Sequence, residues 1–122
     1  MTRTEAYLAL NLLPKIGPVR VRRLLEVLET PERILSAKAR DLSKVNGFGE
    51  DLASTIAAWE STIDLGRELR RIKEENLSVL TQEDALYPKL LRQIHDPPLV
   101  LYVRGQITER DHHGIAIVGS RH

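Results

Sequence analysis

The feature that most constrains this chain is an apolar run near its end, residues 115–118, followed at once by Gly119, Ser120 and Arg121. Two isoleucines and a valine in four residues predict a strand buried on both faces, which is typical of a parallel sheet covered by helices. In open α/β sheets, ligands bind beyond the carboxyl ends of the strands. Glycine lets backbone amides approach a ligand closely, and arginine presents a fork of donors that suits phosphate. The run therefore predicts a strand that leads into an anion-binding turn.

Composition excludes several classes of protein. The chain has 122 residues, of which 42% are hydrophobic and 29% charged, enough for one compact domain or for a small domain and part of a second. Because 18 basic and 17 acidic residues leave a net charge of +1, any contact with nucleic acid has to come from local clustering. The lack of cysteine excludes disulfides and thiolate metal sites. With neither a signal-peptide pattern nor an apolar segment of roughly 20 residues, we expect a soluble, cytoplasmic protein that contacts no membrane.

The first half of the chain predicts helices joined by two glycine-containing turns. Thr2 and Glu5 match a capping box at the start of an apolar helix that ends near Pro14. The turns at residues 13–19 and 45–49 lie about thirty residues apart, and each leads into an apolar helix. This arrangement predicts a helical region that contains two similar turns.

Beyond the second turn, apolar spacing predicts a long helix from Glu50 to about Ile72, interrupted by Gly66 and with Trp59 in the core. Further along the chain the periodicity changes and predicts a strand, a short helix and a second strand, at residues 77–81, 87–91 and 99–103. We therefore divide the chain into a helical domain, residues 1–66, and the start of an α/β domain, residues 67–122.

Three motifs in the second domain carry a resemblance to a known family. They are Tyr87-Pro88-x-Leu90-Leu91, then Asp96-Pro97-Pro98-x-Val100-Leu101-Tyr102 with Gly105, and finally the run from Ile115 to Arg121. In this order they resemble the DNA-processing protein A family, DprA, also called Smf. The helical domain resembles the sterile-alpha-motif-like (SAM-like), helix-hairpin-helix domain that precedes the family's core. The resemblance implies an α+β chain, in which an all-α domain is followed by the first elements of a truncated Rossmann-like α/β domain.

This resemblance implies a role in bacterial natural transformation. Proteins of the family bind incoming single-stranded DNA and help to load the RecA recombinase onto it, without established catalytic chemistry. Gly119, Ser120 and Arg121 match the turn that contributes to the family's DNA-phosphate pocket. The threonine, the Tyr-Gly pair and the glycine-rich segment that follow in the family do not occur in this chain. We therefore expect it to bind DNA more weakly than the complete protein, and a homodimer to require the missing core.

A local basic cluster beside the first turn is the second candidate DNA contact. It consists of Lys15, Arg20, Arg22 and Arg23, with no acidic residue between its ends. Amides at a helix N-terminus can hold a phosphate, and nearby cations add to the attraction. A solvated helix face is an equally good interpretation, since glutamates follow closely. The second turn is a poorer site because Glu50 and Asp51 stand where a phosphate would lie, so we interpret it as structural.

Two other functions stay open on the sequence alone. Related Rossmann-like folds include enzymes that act on nucleotides, but no arrangement of nucleophile, base and orienting acid stands out here. The helical domain could instead be a protein-interaction module. His112 and His113 lack a third ligand at a suitable spacing, and we predict neither a metal site nor a cofactor.

Overall fold

A computed structural model describes residues 1–104. Within them the chain is mostly helical, with a small two-stranded antiparallel sheet, which confirms the mixed α+β class. Backbone contacts divide the chain after Leu65 into two compact units. The first consists of residues 1–65, and residues 66–104 are the described part of the second.

Six helices make up the first unit. They are α1 Arg3–Leu12, α2 Pro18–Leu28, α3 Pro31–Ser36, α4 Ala39–Leu42, α5 Glu50–Ala57 and α6 Trp59–Thr62. The capping box predicted at the start of α1 is present, since the Thr2 amide donates to Glu5 Oε1 at 2.8 Å and the Glu5 amide to Thr2 Oγ1 at 3.1 Å. Thr30 caps α3 through one hydrogen bond, which its side chain accepts from the Arg33 amide at 3.1 Å. These caps satisfy amides that a helix leaves unpaired at its start.

The two predicted hairpins have the same backbone conformation. Corresponding residues lie 32 positions apart in the sequence, as Gly17 and Gly49 do. Gly17 and Gly49 are the N-caps of α2 and α5, with φ, ψ of −89°, 177° and −84°, 179°. The backbone bond from Val21 to Gly17 measures 3.1 Å, and its counterpart from Ala53 to Gly49 measures 3.0 Å. Matching positions are buried in both copies: Leu10 and Leu42, Leu13 and Val45, Ile16 and Phe48, Val21 and Ala53, Leu24 and Ile56.

The long helix expected from Glu50 onward is not continuous. It breaks at Ala58 and again after Thr62, and Ile63 is extended, with φ −125° and ψ 164°. Trp59 is half-buried rather than part of the closed core, and its indole N–H donates to the Leu35 carbonyl at 3.0 Å. This hydrogen bond joins the segment after the break to the end of α3. Gly66, expected to interrupt the helix, lies inside the next one.

The second unit begins with α7, Leu65–Glu74, followed by β1 Leu77–Thr81, α8 Lys89–Arg92 and β2 Val100–Arg104. The strands pair antiparallel, with Leu77 opposite Arg104 and Thr81 opposite Val100. A small core beside the sheet contains Leu80, Tyr87, Leu101 and Val103. The parallel strand predicted at residues 115–118 lies outside the described residues. No helix among residues 1–104 is long and apolar enough to cross a membrane.

Candidate nucleic-acid interface

The first hairpin exposes backbone donors. Ile16 is buried and anchors the turn, whereas Pro14 and Lys15 face solvent. At the N-terminus of α2, Gly17 provides no side-chain cap and Pro18 has no amide. The amides of the following residues, Val19 and Arg20, belong to the first helical turn, where N–H groups lack intrahelical partners. An anion at this position would also meet the positive end of the helix dipole.

Four cations lie in this hairpin or just after it along the chain, and we call Lys15, Arg20, Arg22 and Arg23 the basic cluster. All four residues are exposed. Arg20 is tied to the hairpin itself, because its Nη1 donates to the Lys15 carbonyl at 3.1 Å. Among the described residues, no carboxylate forms an ion pair with any of the four. Their charge is therefore not neutralised by a neighbouring acid in this part of the chain.

The second hairpin has the same backbone but opposite charge. Gly47 adopts the left-handed region with φ 94°, as Lys15 does at the matching position with φ 65°. Glu50 and Asp51 occupy the first turn of α5, and both are exposed. Carboxylates stabilise a helix N-terminus but repel a phosphate there. This agrees with the structural interpretation of the second hairpin.

The structure brings only part of the predicted site together. All of the basic cluster lies in the first unit; Arg20 contacts the first hairpin, whereas the Arg23 guanidinium lies next to Gly47 in the second. Gly119, Ser120 and Arg121 lie outside the described residues, as do His112 and His113. Among residues 1–104, no group of three His, Cys, Asp or Glu side chains is arranged to hold a metal ion.

Comparisons with known proteins match both halves of the chain. A family of SAM-like helix-hairpin-helix tandems matches residues 7–58, and DNA recombination-mediator protein A matches residues 78–122. Protein Smf of Synechocystis sp. (strain ATCC 27184 / PCC 6803 / Kazusa) is 32% identical over 97% of this chain. Residues 78–122 thus match the DNA recombination-mediator protein A (DprA/Smf) family, and the chain as a whole is similar to the portion of Smf that it covers.

The matched relatives are longer proteins. This chain covers 31% of Smf, so it spans about a third of that relative's length. A DNA ligase of Synechococcus sp. (strain JA-3-3Ab) is 25% identical over 60% of this chain, which covers 11% of the ligase. No solved structure gives a significant match.

The family motifs of the second unit have structural roles in residues 1–104. The Tyr87 hydroxyl donates to the Pro98 carbonyl at 2.8 Å. Gln82 Nε2 lies 2.9 Å from the Pro97 carbonyl and 3.1 Å from that of Pro98. Proline has no backbone N–H, and the residue before a proline favours an extended backbone. The segment therefore does not form a helix, and its carbonyls can accept hydrogen bonds from other parts of the fold. In this chain, the Tyr-Pro and Asp-Pro-Pro motifs thus hold the segment that leads into β2.

Tyr87 combines this bond with a buried ring. Its side chain is fully buried, and the Arg92 guanidinium lies 5.4 Å from the ring centroid. Burial raises the pKa of the Tyr87 hydroxyl, and the positive charge of Arg92 acts in the opposite direction. Arg92 also donates to the Asp84 carbonyl at 2.9 Å. Sequence reasoning recognised the tyrosine but missed Gln82, which nothing in its local pattern distinguishes.

A buried polar network links α7 to β2. Glu68, only 4% exposed, accepts a hydrogen bond from the Tyr102 hydroxyl at 2.7 Å and one from Arg71 Nε at 2.9 Å. Arg71 also donates to Glu75 at 2.8 Å. The pKa of Arg71 is raised mainly by its hydrogen bond with Glu68, and the hydrogen bond with Glu75 raises it further. Burial acts in the opposite direction. These partners offset the cost of burying the charged carboxylate of Glu68. The network positions α7 against β2.

Proposed function

We propose that this protein binds single-stranded DNA through the backbone phosphates, and that the basic cluster supplies the contact in the helical unit. The observation that carries the proposal is that these exposed cations lie at, or just after, a hairpin whose helix N-terminus has no side-chain cap. The match of residues 78–122 to a DNA recombination-mediator family gives the proposal its context. In the complete protein, the bound strand would be passed to the RecA recombinase during natural transformation, in the cytoplasm.

Charge explains why phosphate suits this surface. A phosphate that approaches the basic cluster displaces bound counterions and competes with no acidic side chain for the cations. Contacts of this type position a strand without reading its bases. We therefore expect strands of any sequence to bind, with an affinity that falls steeply as salt rises.

The remaining parts of the proposal concern the longer protein. Gly119, Ser120 and Arg121 would supply a second phosphate contact in its core, and a homodimer would form through segments beyond this chain. The proposed role is binding rather than catalysis. A DNA ligase is similar to part of this chain, and this favours a nucleic-acid contact over a purely protein-binding role.

Titration of this chain against a labelled poly-dT oligonucleotide at low salt tests the proposal. One variant replaces the four residues of the basic cluster by alanine. A matched control removes the same charge from four exposed cations elsewhere in residues 1–104, namely Lys38, Arg70, Lys73 and Lys89. Loss of each phosphate contact should lower the log–log salt slope by about 0.7. We expect weak binding by the parent chain, its loss in the cluster variant, and a smaller effect in the control.

Two outcomes would contradict this proposal. Tight binding that survives neutralisation of the basic cluster would remove the cluster from the interface. Equal losses in both variants would mean that only the overall charge matters. If neither the parent chain nor the complete protein binds DNA, while the helical unit captures another protein, the protein-interaction alternative would replace ours.

In the complete protein, Arg121→Ala should weaken binding to single strands of every sequence and make the salt dependence shallower by about 0.7. Arg121→Lys should restore only part of the affinity, because an ammonium group cannot reproduce the bidentate fork of a guanidinium. Fluorescence titration of the three proteins over a range of salt concentrations measures both effects. Unchanged DNA affinity of the Arg121→Ala variant would exclude the residue from the phosphate pocket.

A further inference from the structure

One member of the basic cluster lies against the other hairpin. Arg23 belongs to α2, which follows the first hairpin, yet its guanidinium lies directly over Gly47 in the second. A Cβ built on Gly47 would come within 2.5 Å of Arg23 Nη1 and 3.8 Å of Cζ. A side chain at position 47 would therefore displace the guanidinium.

Backbone and neighbouring side chain both favour glycine at position 47. Gly47 has φ 94°, and Lys15, its counterpart in the first hairpin, has φ 65°. Lysine at φ 65° lies within the left-handed region that side chains can adopt, whereas φ 94° lies beyond it and would strain one. The neighbouring side chain adds to this, since Arg23 lies where a Cβ on Gly47 would project. The glycine thus makes room for Arg23.

Arg23 is also not held there by charge pairing. Although Glu50 and Asp51 follow the second hairpin directly, neither forms an ion pair or a hydrogen bond with Arg23 among the described residues. The guanidinium is exposed, lies against backbone, and keeps its donors available.

We propose that the second hairpin acts as a platform that positions Arg23 for contact with a DNA phosphate. Gly47 is then a positioning residue. In this proposal the second hairpin does not bind the anion directly but supports one cation that does. The proposal rests on the proposed function, because it assumes that the basic cluster binds DNA phosphate. Its physical basis is preorganisation, since a long side chain ordered before binding loses less entropy when the ligand arrives.

A double-mutant cycle tests this role. Gly47→Asn introduces a Cβ while keeping a residue that tolerates positive φ, and Arg23→Ala removes the positioned group. We expect Gly47→Asn to weaken poly-dT binding about two- to tenfold, the range that ordering one side chain is worth. It should also make the salt slope shallower. In the Arg23→Ala background the same substitution should have no further effect. Gly49→Ala, whose Cβ meets nothing within 4 Å, serves as the control and should bind as the parent does.

A second measurement needs no substitution. Order parameters of the arginine Nε–Hε groups, from NMR relaxation of the DNA-free protein, should be higher for Arg23 than for Arg22, which has no such platform. Equal values would overturn the proposal, as would a full effect of Gly47→Asn in the Arg23→Ala background. If Arg23→Ala leaves binding unchanged while a Lys15→Ala/Arg22→Ala variant weakens it, the platform is wrong and the proposed function stands. If none of these variants changes binding, the proposed function itself fails.

Discussion

The two hairpins of the helical unit share a backbone and differ in surface chemistry. Ile16 and Phe48 are buried to nearly the same extent, 3% and 4% exposed, and each hairpin leads into a helix through an extended glycine. Yet the first carries cations, whereas Glu50 and Asp51 follow the second. The comparison teaches that buried positions and backbone hydrogen bonds maintain the turn, while exposed positions are free to acquire different roles.

The largest expected effect tests the shared part of the comparison. Phe48→Ala should lower the free energy of unfolding by about 3–5 kcal/mol and Ile16→Ala by about 2–5 kcal/mol, because each leaves a cavity under its hairpin. Val27→Ala, at a position that is 59% exposed, should change it by less than about 0.5 kcal/mol. Urea denaturation followed by circular dichroism measures all three. A small loss for only one of the two buried residues would show that the hairpins are not equivalent in packing.

A smaller effect tests the difference in charge. Glu50→Gln/Asp51→Asn should cost about 0.3–1 kcal/mol of stability per residue, since each carboxylate interacts favourably with the N-terminus of α5. The same variant should bind poly-dT more tightly by removing repulsion from the second hairpin. Glu74→Gln/Asp96→Asn removes equal charge from exposed sites elsewhere and should bind less tightly than the first variant. Equal affinity of the two would show that the acids of the second hairpin do not act locally.

The smallest change in stability separates the two hairpins most clearly. Gly17→Ser and Gly49→Ser each introduce an N-cap side chain at an extended glycine with open space around it, and should stabilise by a few tenths of a kcal/mol. Only Gly17→Ser should weaken DNA binding, because its hydroxyl would occupy an amide proposed to meet phosphate. Thermal melting and oligonucleotide titration of both variants give the two readouts. Weaker binding by Gly49→Ser alone would reverse our assignment of the hairpins.

Sequence alone determined the features that arise within a few residues. The capping box of Thr2 and Glu5 and the strand Leu77–Thr81 are both present as predicted. Each depends on interactions within one helical turn or on alternation along one strand, so the local pattern contains what is needed. The resemblance to the DprA/Smf family was recognisable for a related reason, since three motifs in a set order form a specific signal.

Tertiary structure decided which distant residues meet. Trp59 bonds to Leu35, Tyr102 to Glu68 and Arg23 lies over Gly47, and at least 24 residues separate the partners of each hydrogen bond. Periodicity along the chain reports which face of an element is apolar but not which element packs against it. The break in the long helix and the contact between Arg23 and the second hairpin arise only when the helices pack together. For that reason, the sequence could identify a basic cluster but could not predict that a glycine in the other hairpin makes room for one of its arginines.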